Sequence, residues 1–108
     1  MDVRLYLAQR ISAAVMLPLV ILHILIILYA VSDGLNAVEI LERTRGSLFW
    51  GVFYGLFVVS AAIHAAIGVR AIAREWTPAT GRTLDYGAVL FGLLLLVLGA
   101  RAVSAVVL

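Results

Sequence analysis

Three long apolar stretches constrain the fold more than any other feature of this sequence. They cover residues 11–31, 48–69 and 86–108, and the first two contain no charged residue. Each has about 20 residues, the length that an α-helix needs to cross a hydrocarbon core of roughly 30 Å. Arg101 interrupts the third stretch near its far end, where its side chain can reach the membrane surface. We therefore predict three transmembrane helices, at about residues 9–31, 48–72 and 86–106.

The chain has too few charged residues to cover a water-facing surface. Of its 108 residues, 65% are hydrophobic and 13% are charged, whereas soluble domains have roughly 25% charged residues. This predicts an all-α integral membrane protein, one transmembrane domain over residues 1–108, in a bundle completed by partner helices. Residues 35–44 suit a short helix on the outer surface. The first stretch exceeds the roughly 7–15-residue apolar core of a signal peptide, so we expect it to be retained.

Arginine supplies all eight positive charges, and its placement predicts the orientation in the membrane. One end of the predicted bundle carries Arg4, Arg10, Arg70, Arg74 and Arg82. Because cytoplasmic connections have an excess of arginine, we expect this end and the N-terminus in the cytoplasm and the C-terminus outside. The expected location is the inner (cytoplasmic) membrane. Arginines confined to helix ends and connections argue against a nucleic-acid partner.

Two histidines, His23 and His64, lie inside the apolar stretches. An imidazole in hydrocarbon is costly unless it is hydrogen-bonded or ligated, and such residues usually mark function. The spans contain no carboxylate beside them, which gives a proton relay little support. With no cysteine in the chain, a thiolate site is excluded. Neutral imidazole is a common axial ligand of haem iron, so both histidines are candidate iron ligands.

The neighbours of His64 favour a haem site. Residues three or four positions away are small: Ser60, Ala61 and Gly68. They leave a helix face without bulk, as a flat macrocycle requires, and Arg70 and Arg74 could neutralise its propionates. The alternative is that His64 hydrogen-bonds a neighbouring helix and the small residues are helix-packing contacts.

The role of His23 stays open on the sequence alone. It lies about 20 Å beyond Arg10, and His64 lies about 15 Å before Arg74, at a rise of about 1.5 Å per residue. Helix tilt could let both histidines bind one iron. Alternatively, each pairs with a histidine of another subunit, which gives haems at two depths.

Polar residues at the expected cytoplasmic end suggest a second site. They are Gln9, Arg10, Ser12, Arg70, Arg74, Glu75, Trp76 and Asp85. Hydrogen-bonding groups beside apolar walls can hold a quinone headgroup while its tail stays in lipid. The alternative is an ordinary solvated helix end with an aromatic anchor.

Two segments carry a resemblance to a known family. Residues 9–14, continuing to Leu17 and Pro18, resemble the start of the first helix in membrane-anchor and cytochrome b subunits of succinate dehydrogenase and fumarate reductase. Residues 63–70, followed by Glu75 and Trp76 at the helix end, resemble the second helix of these subunits. The three-helix spacing also matches, so the resemblance covers the whole chain.

The resemblance implies a role and a set of partners. It places His64 as a haem b ligand, Arg10 near quinone and propionates, and Ser12 near a hydroxyl residue of the family. Trp76 stands where relatives often have tyrosine, and His23 has counterparts in two-haem relatives. An iron–sulfur subunit and a flavoprotein, which carry the clusters and FAD, would dock on the cytoplasmic face. A second anchor chain, different or identical, would complete one haem site or two.

We therefore expect the chain to be the haem b- and quinone-binding membrane anchor of a succinate dehydrogenase or fumarate reductase. Such a complex takes part in the tricarboxylic acid cycle and in electron transport. The chain would pass electrons between the iron–sulfur subunit and quinone without itself oxidising succinate. One alternative is a haem-free structural anchor of another oxidoreductase complex. Another is a transporter or channel component, which would need a polar stripe along one helix that the spans lack.

Overall fold

The computed structural model of the chain describes residues 3–34 and 36–108, and this part forms helices and short connections without strands. There are four helices: α1 (Val3–Ser32), α2 (Ala37–Thr44), α3 (Leu48–Trp76) and α4 (Gly81–Val107). The all-α prediction and the three long apolar helices are confirmed. The short helix expected over residues 35–44 is α2, and Leu35 lies outside the described residues.

The long helices extend beyond the apolar stretches from which they were predicted. Helix α1 starts at Val3 instead of residue 9, and α3 continues to Trp76 instead of residue 72. The added residues are mostly good helix formers, including leucine, alanine, glutamate and arginine, which continue a helix into the polar interface at little cost. Hydropathy locates the part of a helix inside the hydrocarbon, whereas the backbone hydrogen bonds continue past it.

Specific polar residues and glycines set the helix limits around α2. The Asn36 side chain accepts a hydrogen bond from the Val38 N–H at 2.9 Å, and Ser47 caps α3 by accepting from the Trp50 N–H at 3.3 Å. Both act as N-caps by satisfying first-turn donors. Gly46, between α2 and α3, has φ +73°, a left-handed conformation that glycine adopts without steric cost.

Helix α2 caps the end of α4. The Thr44 hydroxyl, in a side chain 1% exposed, lies 3.0 Å from the Ile40 carbonyl oxygen and 2.6 Å from that of Val106. The Gly46 N–H donates to the Val107 carbonyl at 2.6 Å. The last carbonyls of a helix have no partner within it, so α2 and the following turn supply the missing donors and fix α4 in place.

Helix α3 packs against both α1 and α4 and is the centre of the bundle. Glycines bring α4 close to it: a Cβ at Gly92 would lie 3.2 Å from the Ala66 Cβ, and one at Gly99 would overlap the Val58 side chain. Small residues at such crossings let helix backbones approach closely in membranes.

Most large apolar side chains point outwards. Only a few residues form the buried core between helices: Leu19, Phe53, Ala62, Ile67 and Leu84. The bundle is 48 Å along its longest axis, enough to cross a hydrocarbon core of roughly 30 Å and reach both interfaces. Its exposed apolar surface suits contact with lipid or other membrane subunits. The chain is thus a multi-pass membrane protein.

Candidate functional site

A hydrogen-bonded pair joins α1 to α3 in one half of the bundle. Ser12, whose side chain is buried, donates from its hydroxyl to the Gln9 carbonyl oxygen at 3.0 Å. The same hydroxyl lies 3.4 Å from Nδ1 of His64. When the hydroxyl hydrogen is on the Gln9 carbonyl, the Ser12 oxygen can accept from a protonated Nδ1 of His64. In that tautomer the ring lone pair is on Nε2.

Gln9 and Gly68 extend this face by one turn. A Cβ at Gly68 would meet only the Gln9 side chain, at 3.5 Å from Nε2. Within the described part of the chain, the buried Gln9 Oε1 has no hydrogen-bond partner. We call Gln9, Ser12 and His64, with Gly68 beside them, the α1–α3 polar cluster. It combines an oriented imidazole with an unpaired acceptor in an otherwise apolar helix contact.

His23 occupies a different environment. Its ring contacts Phe57 edge-on at 5.2 Å and Tyr54 at 6.0 Å between ring centroids. It borders a cavity of about 360 Å³ to which all four helices contribute, including Gly99 and Val103 of α4. Its Nδ1 is buried and has no hydrogen-bond partner among the described residues.

The two histidines lie at different depths in the bundle. His23 follows Ser12, the partner of His64, by about 16 Å along α1 at a rise of about 1.5 Å per residue. On α3, Phe57 contacts His23 and lies about 10 Å from His64 in the same direction. The contacts of the two imidazoles therefore lie at different levels of the bundle.

The arginines predicted to hold propionates, Arg70 and Arg74, follow His64 on α3. The Arg70 Nε donates to Asp85 Oδ1 at 2.7 Å, an ion pair that joins α3 to α4. It borders a second groove of about 360 Å³, lined mainly by small and apolar residues of these helices. Arg74 is exposed, one turn further along α3. In the isolated chain, Arg70 therefore already has a carboxylate partner.

The three residues predicted to contact quinone are also separated. Ser12 is buried beside His64, whereas Arg10 is exposed, with its guanidinium 6.0 Å from the Tyr6 ring centre. Trp76 is 82% exposed at the end of α3, about 18 Å from His64 along the helix axis. A headgroup beside Ser12 would not reach Trp76 within this chain.

The hydrogen-bond partners of the two histidines indicate which of them can serve as a haem iron ligand. The described residues contain no group of three or more His, Cys, Asp or Glu that could hold a metal ion. A porphyrin supplies the equatorial ligands, so the protein has to add only axial ones. Metal-ligating histidines almost always donate their other ring N–H to an acceptor. His64 has such an acceptor in Ser12, so it fits this requirement, whereas His23 Nδ1 has no such acceptor among the residues that the structure describes.

Sequence reasoning missed the pairing of Ser12 with His64 and the position of Gln9. The signal available was spacing: Gln9 and Ser12 lie three residues apart, and His64 and Gly68 four apart, so each pair shares one helix face. What the sequence did not contain was the relative rotation of α1 and α3. The Arg70–Asp85 pair required the same information for α3 and α4.

The family comparison agrees with this architecture. A family model described as succinate dehydrogenase/fumarate reductase transmembrane subunit matches residues 1–100, which include α1, α2, α3 and most of α4. No curated protein and no solved structure matches the chain.

Proposed function

The chain belongs to the succinate dehydrogenase/fumarate reductase transmembrane subunit family, and from this we propose that it is the haem b- and quinone-binding anchor of such a complex. In this role it passes electrons between an iron–sulfur subunit and membrane quinone. The observation that carries the proposal is the Ser12–His64 pair, because it presents Nε2 of a membrane-buried imidazole as an available ligand.

His64 is the proposed axial ligand, and Ser12 positions it. By accepting from Nδ1–H, the Ser12 hydroxyl fixes the tautomer and the ring orientation, as acceptors do for metal-ligating histidines. When bound, haem b supplies a one-electron redox centre inside the membrane. Since the chain offers one oriented imidazole at this depth, the second axial ligand comes from a second anchor chain, different or identical.

The proposed quinone contact lies at the end of the α1–α3 polar cluster. The unpartnered Gln9 Oε1 can accept a hydrogen bond from a quinol hydroxyl, and Ser12 lies one turn away. Arg10 is exposed near the same level of α1, where a partner subunit can enclose it with the headgroup. Trp76, far from this cluster, is better suited to an interfacial anchor.

The orientation and partners follow from charge and family. The N-terminus and the connection between α3 and α4 face the cytoplasm of an inner membrane, because arginines collect there. An iron–sulfur subunit and a flavoprotein with FAD dock on this face and carry out the chemistry of succinate or fumarate. His23, at its separate depth, is the candidate ligand for a second haem in the assembled anchor.

A haem-free structural anchor is the second candidate, and one observation favours it. The Ser12–His64 contact is itself a hydrogen bond between two membrane helices, which stabilises helix packing without any cofactor. In that case the Ser12–His64 hydrogen bond only holds α1 against α3.

Purification of the complex through an affinity tag on this chain separates the two candidates. We expect an iron–sulfur protein and a flavoprotein to copurify, with succinate–quinone reductase activity and a haem Soret band. Copurification and activity without a Soret band would identify the structural anchor. Recovery of the chain without those two subunits would contradict both proposals.

A further inference from the structure

A groove at the α2 end of the bundle has the features of a lipid site. It has a volume of about 420 Å³ and is lined by Leu22, Leu25, Ile26, Tyr29, Arg43 and Trp50. The aliphatic part of the lining comes from α1. The polar part consists of the Arg43 guanidinium from α2 and the aromatic rings of Tyr29 from α1 and Trp50 from α3, so the groove is amphipathic.

Arg43 is held in this groove by the two rings. Its guanidinium carbon lies 5.7 Å from the Tyr29 ring centre and 5.8 Å from the Trp50 ring centre. Both distances are in the range of cation–π attraction. The rings thus fix the side chain against the groove instead of leaving it free to extend into water.

The Nε–H of Arg43 is buried and has no hydrogen-bond partner within the described part of the chain. Glu39 lies one turn earlier on α2, but its carboxyl hydrogen-bonds Asp33. A buried donor without a partner is costly, so an anionic acceptor at this position would satisfy groups that the chain leaves unpaired.

We propose that this groove binds one anionic phospholipid, with the phosphate at Arg43 and an acyl chain along Leu22 and Leu25. Arg43 belongs to the segment between α1 and α3, which places it at the membrane interface. Tyr and Trp rings commonly lie at the headgroup level, and arginine binds phosphate through charge-assisted hydrogen bonds. An anionic headgroup is favoured because the choline group of a zwitterionic lipid would bring a second positive charge near the guanidinium.

The chain contains a matched control for this site. Arg45 lies two residues from Arg43, carries the same charge and is exposed, outside the groove lining. A nonspecific attraction of anionic lipid to positive charge at this end would involve both arginines. A specific site involves Arg43 alone.

The test is native mass spectrometry of the intact, delipidated complex titrated with dioleoylphosphatidylglycerol or dioleoylphosphatidylcholine. We expect wild type to bind one phosphatidylglycerol more tightly than any phosphatidylcholine. Arg43→Gln should weaken that binding at least about tenfold through loss of a charge-assisted hydrogen bond. Arg45→Gln should change it less than about twofold, because an exposed charge contributes little.

Leu25→Trp provides a second variant that keeps Arg43 and fills the aliphatic part of the groove. Leu25 is 56% exposed, so the larger side chain disturbs no buried contact. We expect it to weaken phosphatidylglycerol binding as Arg43→Gln does, with an unchanged circular dichroism spectrum. Equal binding by wild type and both groove variants would overturn the proposal. Equal losses in Arg43→Gln and Arg45→Gln, or equal affinity for the two lipids, would also overturn it. If a carboxylate of a partner subunit occupies the site at Arg43, wild type and both groove variants should bind phosphatidylglycerol equally.

Discussion

The Ser12 hydroxyl lies 3.4 Å from Nδ1 of His64 and joins the first long helix to the central one. With its hydrogen on the Gln9 carbonyl, the Ser12 oxygen can accept from Nδ1–H of the imidazole. That tautomer leaves Nε2 of His64 available as a ligand. The contact therefore connects the packing of two helices to the chemistry proposed for the site.

Replacing the Ser12 hydroxyl should weaken haem binding. Ser12→Ala leaves the Nδ1–H of His64 without an acceptor, and loss of such a partner typically costs about 10–100-fold in metal affinity. Haem titration of the complex and nitrogen NMR of the His64 tautomer in the haem-free protein measure the effect. Ser12→Thr, which keeps a hydroxyl, should restore both. Unchanged affinity and tautomer in Ser12→Ala would show that the contact has no positioning role.

Loss of the Thr44 hydroxyl should destabilise the α2–α4 contact. Thr44→Val has nearly the same shape but leaves the Val106 carbonyl without its donor, at a cost of about 1–3 kcal/mol in the free energy of unfolding. Thr77→Val is the control, because Thr77 is exposed and its hydroxyl bonds only nearby backbone, donating to the Ala73 carbonyl and accepting from the Ala79 N–H. Denaturant unfolding in detergent compares them, and equal losses would argue against a special role for the cap.

A methyl group at Gly99 should disturb the crossing of α3 and α4. A Cβ there overlaps Val58, so Gly99→Ala should lower the free energy of unfolding by about 1–3 kcal/mol. Gly87 lies on the same helix with nothing near its Cβ position. Gly87→Ala should be neutral or slightly stabilising, because alanine favours the helix. The prediction fails if the two variants have the same thermal midpoint.

The segment between α1 and α3, which contains α2, should be less stable at high pH. A hydrogen bond with Asp33, and repulsion from its charge, raise the pKa of Glu39 above its usual 4.5. The folded state then binds more protons than the unfolded state, so stability is present at low pH and is lost as pH rises through the raised pKa. Thermal midpoints from pH 4.5 upwards should fall more in wild type than in Glu39→Gln. Glu42→Gln should keep most of the wild-type dependence, and identical profiles for wild type and Glu39→Gln would refute the assignment.

The sequence was sufficient for the transmembrane architecture because hydropathy acts residue by residue. A membrane helix was predicted for each of the apolar stretches 11–31, 48–69 and 86–108, and the structure has a long apolar helix at each of them. Helix ends were less predictable, since α1 continues back to Val3 through residues that include the charged Arg4 and good helix formers such as leucine and alanine. The Thr44 cap was not predicted, because it depends on where α4 ends in space.

The candidate site was predictable in its residue types but not in its pairing. His64 and Ser12 were both singled out, yet as parts of different sites, because their contact depends on how α1 rotates against α3. Whether His23 and His64 share one iron stays a prediction to be tested, and the contact of His23 with Phe57 lies at another level of the bundle than the contact of His64 with Ser12. Arg70 was predicted to lie near haem propionates, and its ion pair with Asp85 was not predicted.

The most direct test of the account is the dithionite-reduced minus air-oxidised optical spectrum of the purified complex from wild type, His64→Ala and His23→Ala. We expect sharp b-type bands in wild type that His64→Ala removes or strongly reduces, at unchanged subunit content. His23→Ala should keep the bands that depend on His64, and loss of a separate component would identify a second haem. Undiminished bands in His64→Ala would contradict the assignment of His64 as a haem ligand, because the haem would then be bound elsewhere.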